Sequence, residues 1–126
     1  MDRRVALPLV AEAIGTFLFV FIGCGVVVTG QYMTDNGLGG GAGLLGGALA
    51  HGITLAVVVT AFAAVSGGHI NPAVTVGIWV AGGIKAVTAV AYIVAQLIGA
   101  AAGAALVRIT FPESAWSPSH LSLIHI

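Results

Sequence analysis

The sequence predicts an all-α membrane protein with three transmembrane helices and one re-entrant half-helix. Hydrophobic residues make up 59% of the 126 residues, charged residues make up 6%, and the mean hydropathy is +1.11. Charged residues normally form about a quarter of a globular chain, so this chain is too apolar to cover a water-facing surface. Three stretches reach the roughly 20 apolar residues that a bilayer crossing requires, and a fourth apolar stretch is shorter.

The three predicted spans cover residues 5–29, 43–65 and 86–107. A cleavable signal peptide is the alternative for the first span, because Arg3 and Arg4 precede it. Its apolar run is longer than the roughly 7–15 residues of a signal core, which favours a true span. The segment between the first two spans, 30–42, is polar and rich in glycine and is expected to be a loop.

Basic residues predict the orientation. Arg3 and Arg4 flank the start of the first span, Lys85 flanks the start of the third, and three spans put both places on one side. The positive-inside rule makes that side cytoplasmic, and Arg108 is the one positive charge against the trend. We therefore expect a multi-pass protein of the plasma membrane with its N-terminus in the cytoplasm.

The segment 66–83, SGGHINPAVTVGIWVAGG, is too apolar for a solvent loop and too short to cross the membrane and turn. A re-entrant half-helix satisfies both limits. Asn71 suits the N-cap, and Pro72 suits the first helical position because its missing N–H has no intrahelical partner there. The irregular backbone expected before Asn71 is tolerated at membrane depth only where it contacts protein or lines a watery cavity. An aqueous path beside this segment is therefore predicted.

The block SGGHINPAVT, residues 66–75, closely resembles the first NPA loop of the aquaporin family, which includes the glycerol facilitators. The stretches AEAIGTFLFVFIGCG (11–25) and AYIVAQLIGAAAGA (91–104) resemble the family's first and third helices. The resemblance covers about residues 5–110 and implies one inverted repeat, the N-terminal one, of the six-helix aquaporin fold. The second NPA loop and the arginine that follows it in the family do not occur in this sequence.

The resemblance implies a passive channel, not an enzyme, for water and small neutral solutes such as ammonia and glycerol. It also implies a homotetramer in the lipid bilayer when the channel has its full length. Net charge is zero, so no basic patch indicates nucleic acid, and no cofactor or metal site is expected. Two alternatives stay open: a proton-coupled secondary transporter that uses Glu12 and His51, and a truncated fragment that does not conduct.

The resemblance assigns the NPA motif to Asn71, Pro72 and Ala73. The Asn71 amide is expected to donate to a solute oxygen at the positive end of the half-helix dipole, which also repels cations. The loop before it resembles the part of the family whose backbone carbonyls accept hydrogen bonds from permeating water; its residues are Gly67, Gly68 and His69. His69 is alternatively a residue whose ring fixes the loop.

Polar side chains inside the spans complete the candidate site, because a polar group in a membrane needs a partner or a function. Glu12 is expected to accept hydrogen bonds from N–H groups of the re-entrant loop, with a proton relay as the alternative. Gln96 is expected to tether the same loop.

His51 precedes Asn71 by the family's offset for the second-helix member of its outer constriction. Histidine there resembles the plant tonoplast intrinsic proteins and implies a wider, more polar constriction with an added donor. Thr54 or Leu55, together with Val58, would continue its face at helical spacing. The alternative is a histidine that forms hydrogen bonds within the bundle.

Small residues repeat every four positions and are expected to permit close helix packing; they are Ala95, Gly99 and Gly103 in the third span and Gly39, Gly43 and Gly47 around the start of the second.

Residues 111–126 are expected to form a truncated outer loop. Its end, LSLIHI, resembles a translated transposon end used in sequencing libraries and is interpreted as an assembly artefact, with a natural outer loop as the alternative.

Overall fold

The computed structural model describes residues 3–39 and 42–116. In these ranges the chain forms five helices and no strand; the helices are α1 (Arg3–Asp35), α2 (Gly43–Ser66), α3 (Pro72–Val80), α4 (Ala86–Thr110) and α5 (Glu113–Trp116). By length and composition, α1, α2 and α4 can each cross a membrane. The predicted all-α membrane fold is confirmed, and the nine-residue α3 lies within the predicted re-entrant segment.

Helix α1 is longer than predicted. It continues to Asp35, so the expectation of a loop from residue 30 onward is wrong for its first part. Polar side chains of this part have partners on the helix itself: Thr34 Oγ1 donates to the Gly30 carbonyl at 2.9 Å, and Gln31 Nε2 donates to Asp35 Oδ1 at 2.8 Å. Thr29 Oγ1, at the end of the predicted span, likewise donates to the Gly25 carbonyl at 2.7 Å.

The end of the described chain also differs from the prediction. Helix α4 ends at Thr110 rather than near residue 107, and Glu113–Trp116 form a short helix where an outer loop was expected. Ala115 is fully buried against Val28 of α1 and Val107 of α4, so this short helix packs onto the two spans. The LSLIHI segment lies outside the described residues.

Helix α1 is central: it packs against both α2 and α4, while α3 packs against α4. A Cβ added at Gly99 would overlap the Ala13 carbonyl oxygen, and one added at Gly103 would lie 2.7 Å from the Phe17 carbonyl oxygen. The predicted packing role of these two α4 glycines is confirmed, because only glycine allows the α1 backbone to approach this closely.

The glycines around the start of α2 behave differently. A Cβ at Gly47 would contact Val27 at 3.4 Å, which is ordinary packing. At Gly39 and Gly43 a Cβ would meet no described atom within 4 Å, and both residues have positive φ angles, +64° and +59°. The described chain gives these two glycines no packing partner, so their packing role stays a prediction; what the structure shows is a left-handed backbone at which other residues would be strained.

Candidate functional site

The chain between α2 and α3 is an irregular loop inside the helix bundle. Gly67 ends α2 with φ at 90°, Gly68 follows at 62°, and Ile70 takes the left-handed region at 52°. Glycine adopts this region without strain, but a β-branched residue such as Ile70 pays roughly 1–3 kcal/mol to do so. Ile70 is only 2% exposed. The loop is therefore held by bonds to its surroundings rather than by its own preference.

The carboxylate of Glu12, on α1, supplies these bonds and is itself 0% exposed. Its Oε1 accepts from Ser66 Oγ at 2.6 Å and from the His69 N–H at 2.9 Å. Its Oε2 accepts from the Ile70 N–H at 2.7 Å and from Gln96 Nε2 at 2.7 Å. One carboxylate thus joins α1, the end of α2, the loop and α4. This is the arrangement in which a buried charge is tolerated, since each oxygen has donors.

Thr75 forms a second junction, on the first turns of α3, and is also 0% exposed. Its Oγ1 accepts from Gln96 Nε2 at 2.9 Å, lies 3.1 Å from His69 Nδ1, and donates to the Asn71 carbonyl at 3.1 Å. Gln96 therefore holds both Glu12 and Thr75 with one amide nitrogen. The sequence analysis did not select Thr75; its position one helical turn after Asn71 was the available signal.

The ring of His69 fixes the loop. It is 5% exposed and packs edge-on against Tyr92 of α4, with ring centroids 5.1 Å apart and an interplanar angle of 71°. The Tyr92 hydroxyl in turn donates to the Ser66 carbonyl at 3.0 Å. Of the two roles left open for His69, the structure places the side chain in the fixing role. Tyr92 and Ser66 are further members of the site that the sequence analysis missed.

Asn71 and Pro72 start α3 as predicted. Asn71 is extended, with φ at −149°, and its Oδ1 accepts from the Ala73 N–H at 2.8 Å; Pro72 is the first helical residue. Asn71 is exposed, whereas Gly68, His69 and Ile70 directly before it are buried. The cap uses the side-chain oxygen, so the amide nitrogen is available to donate to a molecule at the positive end of the helix.

His51 lies apart from this network, on the α1–α2 side of the bundle. It is half-buried, and its Nδ1 lies 2.8 Å from the Gly47 carbonyl oxygen of its own helix. Its ring packs edge-on against Phe19, with centroids 5.6 Å apart and an interplanar angle of 83°. On the predicted face, Thr54 and Val58 are buried at 8% and 4% exposure. The structure therefore does not bring His51 into contact with the Glu12 network.

A groove between α1 and α2 ends at His51. Its volume is about 480 Å³, and its polar lining comes from Gln31 and Thr34 of α1 and from His51. His51 is the last α2 residue of the lining, counted from the linker toward the centre of the helix. The groove thus runs from the α1–α2 linker to the histidine ring.

Comparison with known proteins gives consistent matches. The family described as Major intrinsic protein (MIP) matches residues 4–124. The chain is 39% identical over 113 residues to Aquaporin-8 of Mus musculus, covering 89% of this chain and 40% of that protein. It is 42% identical over 113 residues to Aquaporin TIP1-2 of Zea mays (90% and 44% coverage) and 42% identical over 101 residues to Aquaporin Z of Photorhabdus laumondii (80% and 42%). The chain spans about two-fifths of the length of these relatives.

Proposed function

The chain belongs to the major intrinsic protein family, and on that premise we propose that it is the N-terminal repeat of a passive channel for water and small neutral solutes such as ammonia and glycerol. One observation carries the proposal. An exposed asparagine caps the start of a short helix, and a fully buried carboxylate holds the loop that leads to it. This arrangement favours a fixed hydrogen-bond donor at an aqueous path over a purely structural turn, because a structural turn needs no exposed amide.

In the proposed mechanism, Asn71 Nδ2 donates to the oxygen of a passing water or hydroxyl. The dipole of α3 directs its positive end at the same point and disfavours cations. Carbonyls of Gly67 and Gly68 accept hydrogen bonds from the solute. The chain's own contribution is to hold donor and acceptors in place, so that a solute exchanges its hydration for fixed partners without a conformational change.

The buried network disfavours the proton-coupled transporter. Glu12 accepts four hydrogen bonds and has no exposed surface, so the carboxylate that the transporter would use does not face an aqueous path in the described chain. We further propose a homotetramer in the plasma membrane, with the N-terminus in the cytoplasm. The family resemblance supports the tetramer, and the basic residues near the starts of α1 and α4 support the orientation.

The test uses the complete channel that contains this segment, reconstituted into liposomes. We expect osmotic shrinkage faster than that of empty vesicles, ammonia uptake measured by internal pH, and water flux that does not change when a proton gradient is imposed. Flux that requires the gradient would support the transporter instead.

The Asn71→Asp variant isolates the donor. Aspartate keeps the N-cap oxygen and removes the Nδ2 donor, so the protein should fold while its water flux falls. The control is Asn36→Asp, at the exposed end of α1, where the amide donates only to the Tyr32 carbonyl at 2.8 Å. If both variants conduct like the parent, the pore role of Asn71 is wrong.

A further inference from the structure

The ring of His51 lies directly over Gly23 of α1. A Cβ at position 23 would lie 2.5 Å from His51 Nε2 and 2.7 Å from its Cδ2. Heavy atoms that are not bonded do not approach this closely, so the ring can occupy its place only because residue 23 has no side chain. Phe19, one turn earlier on α1, packs edge-on against the same ring, so Gly23 and Phe19 together form the surface of α1 on which the His51 ring lies.

The ring is also fixed from its own helix. The Gly47 carbonyl oxygen can only accept a hydrogen bond, so Nδ1, 2.8 Å away, carries the proton. In the neutral ring Nε2 is then an acceptor, and it lies on the Gly23 side. The tautomer and the position of the ring are thus set together. The second ring nitrogen, Nε2, faces α1 at Gly23.

We propose that Gly23 is a positioning residue for solute selectivity: it keeps the His51 ring against α1 and so keeps the constriction wide. The proposal rests on the proposed channel function and on the predicted place of His51 in its outer constriction, and it deepens that function by naming what sets the width of the constriction. A side chain at position 23 would push the ring off α1, because its Cβ would lie 2.5 Å from His51 Nε2. The path would become narrower, and solutes larger than water would be affected most.

The experiment compares two buried glycines of α1 in the complete channel. Gly23→Ala places a methyl group where it would overlap the His51 ring. At Gly25, the only described atom within 4 Å of a new Cβ is Phe111 Cε2 at 3.8 Å, which is an ordinary van der Waals contact. We expect Gly23→Ala to lower the ratio of ammonia flux to water flux by about tenfold, the lower end of what one methyl group achieves in a tight site. Gly25→Ala should leave the ratio unchanged.

A double variant shows whether Gly23 acts through the ring. In a His51→Ala background, adding Gly23→Ala should not change the ratio further. Equal ratios for Gly23→Ala and Gly25→Ala, or a further fall in the His51→Ala background, would overturn the proposal. A parent channel that conducts no more than empty vesicles would instead refute the proposed function.

A second measurement does not depend on the Gly23→Ala variant being folded. Nitrogen-15 NMR of the parent, assigned by loss of the signals in His51→Ala, should show a protonated Nδ1 and an unprotonated Nε2 for His51. The opposite tautomer would mean that the His51 ring does not lie over Gly23 with Nδ1 bonded to the Gly47 carbonyl, and the proposal would be wrong.

Discussion

Glu12 and His51 are both polar residues inside a membrane-length helix, yet the structure employs them differently. Glu12 accepts hydrogen bonds from α2, the loop and α4. The hydrogen bond of His51 stays within α2, and its ring packs on glycine and phenylalanine. Glu12 therefore serves the stability of the loop, whereas the contacts of His51 are confined to α1 and α2.

The first prediction concerns Glu12→Gln. Glutamine keeps one acceptor oxygen and replaces the other carboxylate oxygen by an NH₂ group. That NH₂ group would face N–H or O–H donors of the network, which would then lack an acceptor. Leaving buried donors unpaired should lower the free energy of unfolding by about 2–5 kcal/mol. Thermal unfolding of the complete channel in detergent measures this. The control is Glu113→Gln at an exposed position of α5, expected to stay within about 0.5 kcal/mol. Equal unfolding curves would contradict the role given to Glu12.

The second prediction concerns His51→Phe in the complete channel. A larger apolar ring should preserve water flux and reduce ammonia flux, because it narrows the constriction that His51 is proposed to line. Paired water and ammonia uptake in vesicles checks it; the control is Leu49→Phe, off this face of α2 and 53% exposed, which should leave both fluxes unchanged. An unchanged flux ratio in His51→Phe would mean that His51 only packs within the bundle.

Part of this site could be predicted from sequence and part could not. Glu12, Gln96 and Asn71 stand out because a polar residue in an apolar span has few places to find partners. Thr75 and Ser66 do not stand out, since a threonine or serine can satisfy its hydroxyl on its own helix. The tautomer of His51 depends on which carbonyl its ring meets, and only the folded structure shows that.

Among the elements, the spans were predictable and their ends were not. The apolar runs locate α1, α2 and α4 because each must replace water with lipid or protein along its whole length. Beyond the apolar run, helix formation depends on local bonds such as those of Thr34 and Gln31. Helix α1 continues with such bonds to Asp35, although the composition of this part is typical of a loop.

The third prediction tests the contact between α1 and α4 by making the same substitution at two glycines. Gly99→Ala should lower the free energy of unfolding by about 1–3 kcal/mol, because the methyl group would overlap the α1 backbone. Gly52→Ala, on the exposed side of α2 with no described atom within 4 Å of the new Cβ, should raise it by up to about 1 kcal/mol, since alanine favours a helix. Thermal unfolding in detergent distinguishes the two; a shift of the same sign in both variants would argue against close packing at Gly99.

At the scale of the whole molecule, the short helix is covered on only one side by the described chain. Helix α3 packs on α4, while Val74, Trp79 and Val80 of α3 remain 46%, 44% and 76% exposed. In the proposed channel, this half-helix lines one side of the path, and the other wall comes from the second repeat.

The fourth prediction follows from this open side. We expect the natural reading frame to continue past about residue 120 into three more spans and a second NPA loop, as the coverage of two-fifths of the relatives suggests. Resequencing the locus checks it. A genuine stop codon directly after Ile126 would contradict it.

The fifth prediction concerns residues 1–126 alone. In liposomes they should give no water permeability above that of empty vesicles, because the open side of α3 would face lipid. Stopped-flow shrinkage is the measurement. Shrinkage that quickens in proportion to protein content would mean that two copies pair in opposite orientations, which Arg3, Arg4 and Lys85 disfavour.

The four bonds to Glu12 also impose an order on biosynthesis. Its donors lie 54, 57, 58 and 84 residues further along the chain, so each of them is synthesised after Glu12. At about 5–20 residues per second, Gln96 follows Glu12 by roughly 4–17 seconds. During that interval the first helix carries a carboxyl group without its folded-state partners. The complete set of bonds can therefore form only after the third span has been made, so the loop reaches its final position in a late step of assembly.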